Sequence, residues 1–417
     1  MKTHRLFYLA LLMVNISVGV SYAQENIEFV SIRATVVDKT TGAPLSFAGI
    51  TVEGTNTTTV TNTEGEFALK IPDEIKNSVV VINFIGYKTK HIQLSEFSAE
   101  KFRIQLEPIA VELPEISVIS KDAEAIVLGM FEKKGINYPT EEEHLTAFYR
   151  ESIRRNKTYA SLSESVVDIY KQSYNSYKAD VVKIYKARKK TDYNKLDTLA
   201  FKLMGGPFNS LYLDLIKHPE LIFTDKMLEN YDFKFDRSTR IGKRLIYVID
   251  FKQKPIVSDP LYYGKLYIDA QTLALKTATF KLNIENKAAA SRMFIIKKPL
   301  NAEVYPVETS YRMDFIEKNN KWYYGYSRIE LALRVNWKRR LFNSTFYSVI
   351  EMAVTDREKS TLDRQTIQKN RIRPNIIVSD EVSGFADPDF WGELNVIEPE
   401  KPIEAAIRKI QRQLQKK

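Results

Sequence analysis

The chain has 417 residues, 44% of them hydrophobic and 27% charged, which is too long for one ordinary core and too apolar for wholesale disorder. It holds no cysteine, so disulfides, thiolate metal sites, a cysteine nucleophile and a lipid-modified cysteine are all excluded. The formal charge of +10 is interspersed with acids and accompanied by no nucleic-acid motif, so it reads as a mixed-sign surface.

Met1 to Arg5 is a short basic start, Leu6 to Val20 is mostly apolar, and Ser21-Tyr22-Ala23 places small residues before Gln24. That pattern predicts a secretory signal over 1–23. The apolar run is too short to span a membrane comfortably, and no later segment is long and apolar enough to span as a helix. The expectation is an exported protein, periplasmic or outer-membrane-associated, and not a lipoprotein.

Residues 30–108 alternate in the period of half-buried strands: Ile32, Ala34 and Val36, then Ala48, Ile50 and Val52, then Phe67, Leu69 and Ile71. Thr57 to Thr61, the apolar run Val79 to Phe84, His91 to Leu94 and Phe102 to Leu106 add four more. Turn signals at Asp38–Pro44 and Asn62–Gly65 separate them, with Gly65 placed where a positive φ is needed. Seven short strands predict a Greek-key β-sandwich. The ordered motifs Ile32-x-Ala34-x-Val36-x-Asp38, Thr41-Gly42-x-Pro44-Leu45-x-x-Ala48, Thr61-Asn62-x-x-Gly65-x-Phe67 and Phe84-Ile85-Gly86-Tyr87 resemble the carboxypeptidase-regulatory-like domain of Bacteroidetes envelope proteins. The resemblance implies a transthyretin-like sandwich that sits ahead of other envelope modules. It departs from the family at Ala34, Thr58 and Asn62, and nothing in it supplies a zinc carboxypeptidase.

Residues 109–121, with Pro108 and Pro114 at hand, read as a linker. Asp122 to Lys134 reads as an amphipathic helix ended near Gly135 and Pro139. Beyond it, 122–398 predicts a larger antiparallel domain. Its strands are His144–Arg154, Tyr159–Tyr170, Asp180–Lys189, Phe233–Asp236, Leu245–Phe251, Tyr262–Asp269, Leu275–Ile284, Tyr305–Phe315, Trp322–Asn336 and Phe346–Thr355. Leu211 to Leu228 reads as helical, interrupted at His218-Pro219. The strand-turn-strand from Gly264 to Leu275 resembles the repeat of lipoprotein-carrier-like domains, which implies a curved sheet around helices. Its concave face then either receives an acyl chain or is filled by the helices at 122–134 and 211–228, and the filled alternative is favoured. Residues 399–417 predict a basic C-terminal helix, with Arg408, Lys409 and Arg412 toward its end, as a plain surface helix of modest amphipathicity. The fold expected is mainly β: a seven-stranded sandwich followed by an antiparallel curved sheet with a few helices.

The search for chemistry returns little. His91, His144 and His218 stand in unrelated contexts, and there is no His pair at ligand spacing, no nucleophile elbow and no phosphate loop. Asp387 and Asp389, beside Phe390-Trp391, read as a capped turn. No catalytic residue, metal ligand or cofactor is assigned. The candidate ligand-binding residues are aromatic: Tyr262, Tyr263, Trp322, Tyr324 and Trp391. The reading is a non-enzymatic envelope protein whose partner is a lipid, a glycan or another envelope protein, with no nucleic acid and no transmembrane helix. The alternatives are a hydrolase of envelope or polysaccharide polymers and an assembly factor without a small ligand.

Overall fold

A computed structural model describes residues 29–97, 102–109, 122–192, 206–223, 228–295, 300–338, 343–373, 383–387 and 389–414. The expected signal segment, and all of the expected linker except Ile109, lie outside them.

The N-terminal part is a sandwich of seven strands: β1 (Phe29–Asp38), β2 (Gly49–Val52), β3 (Thr58–Val60), β4 (Glu66–Pro72), β5 (Val79–Asn83), β6 (Lys90–Gln93) and β7 (Phe102–Leu106). They form two sheets, ordered β4-β1-β7 and β3-β2-β5-β6. Alternate residues of both sheets, among them Val36, Ile50, Leu69 and Ile82, share one buried core. Gly65 has φ +75°, and a Cβ there would lie 2.5 Å from the Val36 carbonyl oxygen, so the turn requires glycine for both reasons.

The second part is a ten-stranded antiparallel sheet. Its strands are β8 (Glu143–Arg155), β9 (Thr158–Lys171), β10 (Val181–Thr191), β11 (Tyr231–Ile241), β12 (Arg244–Gln253), β13 (Tyr262–Asp269), β14 (Leu275–Leu282), β15 (Ala302–Lys318), β16 (Lys321–Trp337) and β17 (Ser344–Lys359). The spatial order is β10-β9-β8-β17-β16-β15-β14-β13-β12-β11. β10 and β11 are thus consecutive in the chain yet occupy opposite edges. Val182 from one edge and Tyr231 and Phe251 from the other join a single core, so the sheet curves around its inner face.

That face is filled. Helix α1 (Ala123–Glu132) is capped by the Asp122 carboxylate, which accepts from the backbone of Glu124 and Ala125. It buries Val127 and Met130 in the core, and α2 (Lys134–Asn137) follows. The connection from β10 to β11 must cross between the edges, and it brings Leu211, Leu215, Ile216, Ile222 and Phe223 into the same core. Here the expected helix over Leu211–Leu228 is corrected as far as 223; residues 224–227 lie outside the described residues. The α-helical turn is α3 (Pro207–Tyr212), and a 3₁₀ turn covers Pro219–Leu221. The physical reason is Asp214, which is fully buried. It accepts from Tyr174 Oη at 2.6 Å and from the Lys217 backbone, and pairs with Lys171 at 2.8 Å. These contacts hold a tight turn where a helix would have swung the carboxylate away. Three helices went unexpected: α2, which runs on past the expected stop near Gly135, α4 (Lys287–Phe294), capped by Asn286, and α5 (Arg364–Gln368), capped by Asp363.

The outer face is covered in its middle by the sandwich and by the C-terminal tail. Phe47 and Val60 of the sandwich, Trp391 and Ile397 of the tail, and Phe148 and Tyr326 of the sheet form one buried cluster. Beneath it runs a row of charges across five strands in direct register: Arg188, Glu164, Arg150, Glu351 and Arg328. Each neighbouring pair has opposite sign and closes at 2.7–3.1 Å. The chain ends in α6 (Lys401–Leu414). Its modest expected amphipathicity is corrected: Ile403, Ile407, Ile410 and Leu414 form a stripe packed on Leu162 and Phe385.

Candidate functional site

The sandwich meets the sheet through one face and its loops. Phe47 stacks on Tyr326 at 5.5 Å and lies between the guanidinium groups of Arg312 and Arg328, each 5.3 Å from its ring. The Gly86 backbone donates to the Arg240 carbonyl at 2.7 Å, and Asn56 Nδ2 donates to the Arg357 carbonyl at 2.5 Å. Lys318 Nζ reaches the Thr55 carbonyl at 2.9 Å. The tail straps the far side: Asn395 Oδ1 accepts from the Lys70 backbone at 2.7 Å while its Nδ2 donates back to the Lys70 carbonyl at 3.0 Å.

Framed by these contacts is a cavity of about 470 Å³. Its roof is the outward face of β2 and β5, with Thr51 and Val81. Its floor is the sheet around Asp314, Ile316, Trp322 and Gly325. Three β-bulges create the floor. Lys276 is the extra residue of β14, Gly325 that of β16 and Thr355 that of β17. A bulge re-aims the side chains beside it and frees backbone groups from the ladder. Here Lys276 Nζ donates to the Phe315 carbonyl at 2.5 Å and Arg357 Nη2 donates to the Tyr324 carbonyl at 2.9 Å. Phe315 and Tyr324 are a cross-strand pair, reached by Lys276 from β14 on one side and by Arg357 from β17 on the other. Gly325 is required there: a Cβ would lie 2.7 Å from Ile316 Cγ1.

The lining carries more cations than carboxylates, and the carboxylates are engaged. Asp314 accepts from Thr277 Oγ1 at 2.6 Å and from Arg312 at 2.6 and 3.0 Å. Glu317 takes Arg244 at 3.3 Å and the Asn320 backbone at 2.8 Å. Glu53 lies 3.9 Å from His91. By contrast, neither Lys276 nor Arg357 has a carboxylate within ion-pair distance among the described residues. Burial pushes both cations below their usual pKa, opposed by Asp314 for Lys276 and by Glu143 for Arg357. Trp322 Nε1 and Arg357 Nη1, on two of the lining residues, are buried from solvent and cavity alike and have no hydrogen-bond partner among the described residues.

The five aromatic candidates do not come together. Tyr262 is buried, edge-on to Phe280 and Tyr311, while its neighbour Tyr263 points to the opposite face and is 43% exposed. Tyr324 is buried in the inner core, its hydroxyl bonded to the Ser210 carbonyl at 3.0 Å and Ser327 Oγ at 2.7 Å. Trp391 packs against Phe148 and under Arg188, in the tail cluster. Trp322 alone of the five lines the cavity.

Two polar groups outside the cavity are held by their neighbours. His144 is held at both ring nitrogens, by Glu358 at 2.7 Å and Asp168 at 3.1 Å, and stacks on Tyr170, which leaves neither nitrogen for a substrate proton. Asp387 caps the backbone of Asp389 at 2.9 Å, as expected of a turn. No group of three or more metal-ligating side chains occurs among the described residues. No described helix is long and apolar enough to cross a membrane.

Residues 32–118 match the family described as the CarboxypepD_reg-like domain, so the sandwich is that domain. No curated protein matches the chain. Among solved structures, a LolA superfamily protein from Nitrosomonas europaea is similar at 11% identity, covering 60% of this chain and 98% of its own, with a TM-score of 0.23. A DUF1329 family protein from Desulfovibrio piger is similar at 10% identity, covering 59% and 97%, with a TM-score of 0.23. Lipovitellin is similar at 7% identity, covering 56% of this chain and 27% of its own, with a TM-score of 0.25. At such TM-scores these likenesses carry nothing about ligand or activity.

Proposed function

We propose that this chain is an exported, non-catalytic binding protein of the cell envelope, and that the cavity between sandwich and sheet is its ligand seat. The observation that carries the reading is the lining of that cavity, six lysine or arginine side chains against three carboxylates, with neither Lys276 nor Arg357 ion-paired among the described residues. Cations withdrawn from water are normally paired, so this excess favours an acceptor brought from outside. The cavity volume of about 470 Å³ falls within the usual range for small-molecule sites, and its walls mix apolar surface with a few placed polar groups. The inner face of the sheet is occupied by α1 and the β10–β11 connection.

The experiment is native mass spectrometry of the protein purified from its own envelope, followed by solvent extraction. A co-purifying small molecule that is lost when Thr51→Trp fills the roof supports the seat. An unliganded mass for the parent protein, unchanged by incubation with envelope extract, rejects it. The same spectrum tests export: a chain beginning at Gln24 is expected, and a mass that retains Met1 to Ala23 rejects processing there.

A further inference from the structure

The ten-stranded sheet has two ends, and the sandwich holds one of them, through Arg240, Lys318 and Arg357. The β8–β9, β12–β13, β14–β15 and β16–β17 connections all leave from the other end, because Arg155, Gln253, Leu282 and Trp337 finish their strands there. We infer that this second end docks the protein on an anionic lipid bilayer, with apolar loop tips entering the headgroup layer and a basic groove facing the headgroup phosphates.

The apolar half is on the connections. Ile256, between β12 and β13, is 90% exposed, and Leu300, just before β15, is 99% exposed. Met293 of α4, between β14 and β15, is half exposed. Single exposed apolar residues are ordinary on a surface, but these three share one end of the sheet and sit on adjoining connections. Side chains of that size gain free energy on leaving water, and loop tips can bury them in a bilayer interface without any partner inside the fold.

The charged half is at the same end. There α6 and the ends of β9 and β10 enclose a groove of about 700 Å³, lined by Arg154, Lys157, Lys190 and Lys409 against one carboxylate, Asp192. None of the four cations has a carboxylate within ion-pair distance among the described residues, and the Arg154 guanidinium lies over the Tyr347 ring instead, at 4.5 Å. All four side chains are exposed or half-buried, so they are open to a partner. The groove floor is apolar, with Tyr159, Leu162 and Ile410, along which lysine stems can lie while their heads reach outward. In the β12–β13 and β14–β15 connections charges of both signs occur, Lys254 and Lys287 beside Asp259 and Glu285, so the attraction has to come from the groove.

The two halves together choose the occupant. A soluble polyanion would meet the groove and leave Ile256 and Leu300 in water. A neutral membrane would meet the tips and leave the cations unmatched. An anionic bilayer satisfies both. The inference does not rest on the cavity under the sandwich, which lies toward the other end of the sheet.

The test is flotation of the processed chain, beginning at Gln24, with vesicles of phosphatidylcholine alone and of phosphatidylcholine and phosphatidylglycerol in equal parts. Binding is expected to the second and not the first, and it should be released near 1 M salt, where charges are screened beyond about 3 Å. Lys157→Gln with Lys190→Gln and Lys409→Gln should weaken it about a hundredfold, at about fivefold for each lysine. Ile256→Ser with Leu300→Ser should weaken it about tenfold or more. These five side chains are exposed or half-buried, so the variants should melt as the parent does, and Thr51→Trp should leave vesicle binding unchanged. Equal binding to both vesicles, or to neither, overturns the inference. So does a triple lysine variant that binds like the parent. If the Ile256 and Leu300 variant binds like the parent, a soluble polyanion is the occupant and the bilayer is rejected.

Discussion

Glu164 lies between Arg150 and Arg188 with no exposed surface of its own, and the two guanidinium groups overcome burial to hold its carboxyl below the usual range. Removing one member of such a set leaves the others charged and unpaired, which costs about 3–5 kcal/mol. Glu164→Gln is therefore expected to lower unfolding free energy by that order in urea titration, and a loss below about 1 kcal/mol would mean the row is wet. His144 makes a pH-dependent contribution. The Asp168 hydrogen bond, with Glu358 adding to it, raises its pKa above the ordinary 6.5. Because the folded value exceeds the unfolded one, the stabilisation is complete below about pH 6.5 and is lost as pH climbs through the folded value. His144→Gln should accordingly cost more stability at pH 5.5 than at pH 8.5, and equal costs would reject the assignment. Residues like Gly65 and Asp122 announce themselves in the sequence, one by its turn and one by its place before an apolar run. Lys276 and Arg357 do not. Each is a lone cation in a strand, and only unpaired bulge residues, which leave no periodic trace, turn them toward a common cavity.

Strand alternation marks most strands of both sheets, where one face is apolar and the other polar; β3 is legible only by its β-branched residues and β5 only as a continuous apolar run. Alternation fails where burial surrounds a segment. Leu211 to Phe223 puts Leu211, Leu215, Ile216, Ile222 and Phe223 into the core from a non-helical path, and the spacing imitates a helix that Asp214 prevents. The tail is equally hard to read, since its meaning lies in what it touches. Asn395 holds the Lys70 backbone by two hydrogen bonds, Ile397 gives its carbonyl to Arg150, and Ile407 anchors α6. Asn395→Ala is expected to cost roughly 1–3 kcal/mol, by leaving the Lys70 groups unmet. Ile407→Asp should free α6 and speed trypsin cleavage at Arg408 and Arg412 several-fold at unchanged core stability. Unchanged cleavage would mean the stripe does not hold the helix.

At the scale of the molecule, the sandwich and the sheet share a wall rather than a hinge alone. A ligand in that wall touches both, so binding should add to the stability of the whole. With ligand at a hundredfold its Kd the gain is about 2.7 kcal/mol, which raises a single melting transition. A ligand that shifts only one of two separate transitions would place it within one part instead of between them.

β17 is the last strand made, yet it lies between β16 and β8, two strands whose residues are far apart in sequence. The chain can zip β8 to β10 and β11 to β16 as they emerge, each by local hairpins, but nothing joins the two ribbons until β17 arrives. At synthesis rates of about 5–20 residues per second, β8 waits on the order of ten seconds or more with its inward and outward apolar residues bare. Leu145, Phe148 and Tyr149 then present the kind of open strand that other chains pair with. Assembly of this protein is therefore a keystone problem: the arch stands only when its final stone drops in, and a chain cut short before Ser344 would leave two sticky half-arches instead of a smaller version of the whole.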